Sequence, residues 1–185
     1  MKVQFQESFF ENYGARTTLN AQASDATLAF ALNFNTAGEQ LTKRETLKFN
    51  KTYIPIKLTN ELKINDDIIR QTVNELNFAK CKILNIAGNG IYTLQNFFTQ
   101  QQMDDYVYLF LKSIIEHKNL KYKIELIHSG GQTGVDEAGL KASLRLKIPC
   151  LCICPKGYKF RTIEGKDVLN EKEFKKRFEA YETNK

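Results

Sequence analysis

At 185 residues, with 42% hydrophobic and 26% charged side chains, the chain is long enough to bury the core of one domain, taken as residues 1–185, and too short for two ordinary ones. No stretch approaches the roughly 20 apolar residues of a membrane span, and the opening MKVQFQESFFENYG lacks the apolar run of a signal peptide, so the expected location is the cytoplasm, with no membrane partner. The formal net charge of +6 favours anionic partners, but the densest basic run, Lys166 to Arg177, also carries Asp167, Glu171 and Glu173, which fits a solvated helix face and speaks against nucleic acid.

In chain order, a short helix is expected over 14–23, then a strand at ATLAFALNF (26–34). The loop Asn35 to Thr42 follows, and EQLTKRETLKF (39–49) has helical spacing. TYIPIKL (52–58) reads as a strand, INDDIIRQTVNELNF (64–78) as a helix and CKILNIAG (81–88) as a strand ending in Ala87-Gly88-Asn89-Gly90. That loop would bring bare backbone to the rim of the sheet, or form the type I′ turn that Asn89-Gly90 signals. QQMDDYVYLFLKSIIEHK (101–118) is the next helix, and the charged turn 116–121 leads to the strand YKIELIHS (122–129). VDEAGLKASLRL (135–146) and IPCLCIC (148–154) complete the alternation, Gly157 to Asp167 reads as a loop, and 170–181 as a closing helix. Five apolar strands alternating with amphipathic helices predict an α/β fold: a three-layer, Rossmann-like parallel sheet of about five strands with helices on both faces.

In such a sheet the ligand site lies outside the carboxyl ends of the strands, where helix N-termini present free N–H groups to anions. The strongest candidate is Ser129-Gly130-Gly131-Gln132-Thr133-Gly134-Val135-Asp136, between a strand and an amphipathic helix. Its glycines permit close backbone approach to a phosphate, Ser129, Gln132 and Thr133 add donors, and Asp136 caps the helix or accepts from a ribose hydroxyl. A second loop, with Asn35, Thr36, Gly38, Glu39 and Thr42, leads into a helix in the same way. Lys156, in Cys154-Pro155-Lys156-Gly157, stands at a third strand end as either a phosphate-binding point charge or a solvated lysine. The four cysteines, three of them alternating along one strand, are expected to be free buried thiols, and no metal site is expected. His128 adjoins the glycine loop, but with only two histidines in the chain acid–base chemistry falls to carboxylates.

SGGQTGVDEAGLKASLRLKIP followed by CPKG resembles the molybdenum carrier family, a branch of the Rossmann-like group called SLOG that also contains lysine-decarboxylase-like phosphoribohydrolases. In that family the glycine motif stands at the N-terminus, and an arginine-threonine helix, an aspartate-led strand, a glycine-threonine loop and two more strands follow. Here those parts precede it: Tyr13 to Asn20 resembles the helix, with Arg16, Ser24 to Leu28 the strand entry, and Thr36 to Thr42 the loop. The rotated order is that of a circular permutation, with the old ends joined at Glu116 to Lys121.

The resemblance implies a small anionic ligand, a phosphate-bearing nucleotide or a nucleotide-derived signal, held by the backbone from Gly130 to Gly134 and from Ala37 to Glu39, with Lys156 and Arg16 supplying charge. No other cofactor is required. It implies two alternatives. One is an N-ribohydrolase acting on nucleoside monophosphates, for which Glu39 and Glu45 are the candidate catalytic carboxylates. The relatives carry glutamates on the first helical turn after the second loop, whereas Thr42-Lys43-Arg44-Glu45 puts a basic pair there and leaves Glu39 inside the loop, so this reading is the weaker. The other is carriage of molybdate or a molybdenum cofactor. The sequence leaves enzyme against binding protein, and monomer against homo-oligomer, open.

Overall fold

The computed structural model of the chain describes residues 1–182. Six strands form one sheet: β1 (Gln4–Glu7), β2 (Ala26–Ala31), β3 (Thr52–Lys57), β4 (Ile83–Gly88), β5 (Leu126–Ser129) and β6 (Cys150–Cys154). Their order is β1-β6-β5-β4-β2-β3, and every neighbouring pair is parallel. The sixth strand, beyond the five expected, is β1, which pairs Gln4 with Leu151 through to Glu7 with Cys154 at one edge.

All six residues of β2 are buried, as a strand covered on both faces requires. The helices α1 (Tyr13–Gln22) and α2 (Ala37–Lys48) pack together on one face; α3 (Asp66–Phe78), α5 (Gln100–Ile115) and α6 (Val135–Arg145) pack on the other, with α4 (Ile91–Leu94) a single turn. The alternation of β4 shows the division: Asn85 and Ala87 face α1 and α2, while Ile86 meets the α6 backbone at Gly139. Asn12, Thr36, Asn65 and Thr99 accept the first free N–H groups of α1, α2, α3 and α5, so each helix begins at a residue whose side chain replaces a missing intrahelical partner.

Two turn assignments need correction. Asn89-Gly90 makes no hairpin turn: Gly90, at φ −68°, is the N-cap of α4, and the Asn89 side chain is buried. The stretch from Gly157 to Asp167 is mostly a small antiparallel hairpin, β7 (Lys159–Arg161) with β8 (Asp167–Leu169), followed by α7 (Glu171–Glu179). Of the fully buried rings of α7, Phe174 packs edge-on and Phe178 tilted against Phe5 of β1, and Phe160 of β7 joins them. Each such ring contributes about 2–3 kcal/mol by burial, which seats the hairpin and α7 on the sheet. The four cysteines are buried and unbridged, as expected.

Near this edge the two ends of the described chain meet, for the Val3 N–H donates to Glu182 Oε1 at 3.1 Å.

Candidate functional site

A cleft of about 490 Å³ opens at the carboxyl ends of β2, β4 and β5. Thr36, Gly38 and Glu39 from the start of α2 form one wall; Gln132 and Thr133 form the other. The two glycine-bearing loops, about a hundred residues apart in sequence, thus face one space, as expected of a sheet whose strand order brings β5 beside β4 and β4 beside β2.

The glycine turn is built differently from the expectation. Arg16 of α1 lies across it: its Nη1 donates to Asp136 Oδ2 at 2.6 Å, and a Cβ on Gly130 would stand 1.7 Å from that nitrogen. Gly130 is therefore glycine to admit a guanidinium. Gly131, at φ +67°, directs its missing Cβ toward Cys152 and Phe174. Asp136 also accepts backbone bonds from Gln132 and Gly88; burial pushes its carboxyl above the usual range and the Arg16 charge pulls it back. Arg16 and Asp136 are both in the site, but as a neutralised pair.

The turn is also braced from behind. The Gln100 side chain accepts from the Gly134 N–H at 2.7 Å and donates to the Gly134 carbonyl at 2.9 Å. Arg177 Nη2 donates to the Gly131 carbonyl, and its Nη1 pairs with Glu137, which shares buried Lys141 with Asp104, each of the three contacts at 2.6 Å. The Thr133 N–H is taken by Gln132 Oε1, Thr133 Oγ1 donates to the Arg161 carbonyl, and Ser129 Oγ lies fully buried against Ile86 O. These groups, read as ligand donors, are committed to protein partners. The amides of Ala37 and Gly38 differ: as the first two positions of α2 they have no intrahelical acceptor, and a Cβ on Gly38 would meet nothing within 4 Å.

Glu39 is the second departure. Thr36 caps α2, with Oγ1 accepting from the Glu39 N–H at 3.4 Å, so Glu39 stands in the first helical turn rather than in a loop. Its side chain is 4% exposed. Oε1 accepts from Asn89 Nδ2 at 3.2 Å, while Oε2 is buried without a partner. Burial first, then the Asp136 charge, pushes the carboxyl up to about 7, against the opposing Asn89 hydrogen bond and Arg16 charge. A carboxyl at that value can give or take a proton near neutral pH.

Of the other expected residues, Thr42 lies deeper between α1 and α2 with its hydroxyl on the Gly38 carbonyl. Asn35 faces a neighbouring groove. Glu45 is held by Arg44 and Thr18 outside the cleft lining. Lys156 is exposed and also outside that lining; the cation at the rim is Arg161 of β7, paired with Asp167 at 2.9 Å. Tyr13, which donates to Asp167 and has Arg16, Lys159 and Arg161 around its ring, completes the rim, its phenol pushed up to about 12 chiefly by burial. Gln100 and Arg161 were not singled out from sequence, and Asn89 only as part of the loop from Ala87 to Gly90. A threonine three residues before a glutamate was the signal that could have placed Glu39 on the helix.

A family model described as the circularly permutated YpsA SLOG family matches residues 1–96 and 127–176. Those spans contain Arg16, Glu39 and the whole glycine turn, and they omit the segment from 97 to 126 where the old ends were expected to join. No curated protein matches the chain. Among solved structures, it is similar to NADH-dependent butanol dehydrogenase A from Thermotoga maritima, at 10% identity and a TM-score of 0.41, over 83% of this chain and 42% of that one. The chain thus spans less than half of that enzyme's length.

Proposed function

The chain belongs to the circularly permutated YpsA SLOG family, and from that premise we propose that its cleft binds a nucleotide-derived ligand whose phosphate sits at the N-terminus of α2. The free amides of Ala37 and Gly38, the positive end of the helix dipole and Arg161 at the rim supply the attraction; Thr36 adds a hydroxyl. The glycine turn shapes the opposite wall.

Glu39 favours a second step, hydrolysis of an N-glycosidic bond in the bound ligand. Its carboxyl stands in the first turn of α2, the turn in which the phosphoribohydrolases that the sequence resembles carry glutamates, and it combines an unpartnered oxygen with a proton affinity set to neutral pH. In such a reaction water adds across the C1′–N bond: the oxygen goes to C1′, and the proton delivered by the carboxyl goes to the departing base. Burying a carboxyl whose Oε2 has no partner is costly for a purely structural residue. That cost is the observation that carries the reading.

Mass spectrometry of small molecules released on denaturing the purified protein tests binding; a nucleotide or nucleotide fragment is expected. Molybdate is the competing oxyanion, and molybdenum retained in its place by elemental analysis would overturn the nucleotide reading. Incubation with nucleoside monophosphates tests hydrolysis: release of free base by the wild-type protein, lost in Glu39→Gln, is expected. Equal release by both proteins would remove Glu39 from the reaction.

A further inference from the structure

Beneath the cleft, between α1, α2 and β4, lies a smaller chamber of about 90 Å³. It shares Arg16, Gly38 and Glu39 with the cleft above, and its depth is lined by Thr17, Asn20 and Asn85. Among the described residues five buried side-chain polar atoms lack a hydrogen-bond partner, and four of them, Asn20 Oδ1, Asn85 Oδ1, Glu39 Oε2 and Arg16 Nε, belong to residues lining this chamber. Natural interiors leave few such atoms unpaired, so four around one small space call for a common occupant.

The arrangement also says what the occupant offers. The orientation of Asn20 is fixed, because its Nδ2 donates to the carbonyls of Arg16 and Ile153 at 2.9 and 3.1 Å, leaving Oδ1 as a true acceptor. Asn85 Nδ2 donates to Thr27 Oγ1. The unpaired set is therefore two amide carbonyls and a carboxyl oxygen, all able to accept, beside one guanidinium N–H that donates. An amino group would supply donors and leave Arg16 Nε unmatched. A hydroxyl both donates and accepts, and two neighbouring hydroxyls can satisfy both kinds of atom.

Resting on the proposed reading of the cleft, we infer that the chamber is a subsite for the vicinal hydroxyls of the ligand's sugar, read by Asn20, Asn85, Glu39 and Arg16. The sugar descends between α1 and α2 while the phosphate remains at the N-terminus of α2.

Calorimetric titration with ribose 5-phosphate, 2-deoxyribose 5-phosphate and inorganic phosphate tests this. Neither sugar has an N-glycosidic bond, so turnover does not confuse the reading, and inorganic phosphate reports on the cleft alone. The wild-type protein should prefer the ribose compound by about tenfold, the loss expected when a deoxy sugar leaves a buried acceptor unmatched. In Asn85→Leu, and separately in Thr17→Leu, whose added methylenes have the chamber to occupy, that ratio should fall to near one, with circular dichroism confirming the fold. Equal affinity of the wild-type protein for the two sugars would show that the chamber holds water only and would overturn the inference while the phosphate reading stands. Binding of phosphate without either sugar phosphate, or a preference that survives in both variants, would overturn it too. Failure to bind all three compounds would remove the phosphate site together with the subsite.

Discussion

Replacing Glu39 with Gln should stabilise the protein at alkaline pH while removing any acid–base function. The folded carboxyl titrates near 7 against an ordinary value of 4.5. Below pH 4.5 both folded and unfolded chains hold the proton, and Glu39 carries no penalty. Between 4.5 and 7 the unfolded chain releases its proton while the folded one keeps it, so stability falls as pH rises. Above 7 the loss is complete and amounts to about 3 kcal/mol. Gln cannot ionise and keeps an oxygen for Asn89, so the difference between variant and wild type should grow by about that amount from pH 4.5 to pH 8. At pH 8 it corresponds to a Tm about 6–12 °C higher. Urea unfolding of both proteins at several pH values gives the difference directly, because every other titrating group is common to the pair. A difference that stays constant across this range would refute the proposed environment of Glu39.

Gly130→Ala places a methyl group where the Arg16 guanidinium lies, so the Arg16–Asp136 pair should open and leave Asp136 buried and unpaired. A loss of about 3 kcal/mol in urea unfolding, together with weakened phosphate binding by calorimetry, is expected; wild-type values for both would mean that Arg16 has another berth. Lys141→Met removes the cation shared by Asp104 and Glu137, after which Glu137 keeps Arg177 while Asp104 keeps only the neutral Gln100 amide. Calorimetric unfolding should show about 3–5 kcal/mol lost, and a change below about 1 kcal/mol would mean that water replaces the lysine.

Where burial writes itself into composition, the fold was legible. The apolar runs of β2, β4 and β6 and the periodicity of α3, α5 and α6 are consequences of a sheet covered on both faces, and the meeting of the two loops follows from parallel topology. The permuted order was legible because each short motif kept its neighbours in cyclic sequence. β1 was not, since QFQE buries little and becomes a strand only because β6 offers it an edge. The three-residue strands of the hairpin carry Lys159, Arg161 and Asp167, and they are held by Phe160 and by contacts that no local pattern announces. At the cleft the two expected loops do face each other, but several of their polar groups are taken by protein partners. Glycines suited to a phosphate also suit a buried guanidinium, and only coordinates show that Gly130 faces Arg16. Glu39 falls where the loop and the helical run overlap in sequence, and the Thr36 cap decides for the helix.

The bond between Val3 and Glu182 belongs to a wider arrangement with a consequence for synthesis on the ribosome. β1 pairs only with β6, and Arg16 must wait for Asp136, 120 residues later. At roughly 5–20 residues per second, that interval is on the order of ten seconds. The strands β2, β3 and β4 can assemble among themselves meanwhile, but β1, made before them, is among the last to find its place. A strand that waits in water gains by being polar, and three of the four residues of β1 are exposed even in the finished fold. The walls of the cleft run from Tyr13 to Arg161 in sequence, so it is complete only once the hairpin has been made.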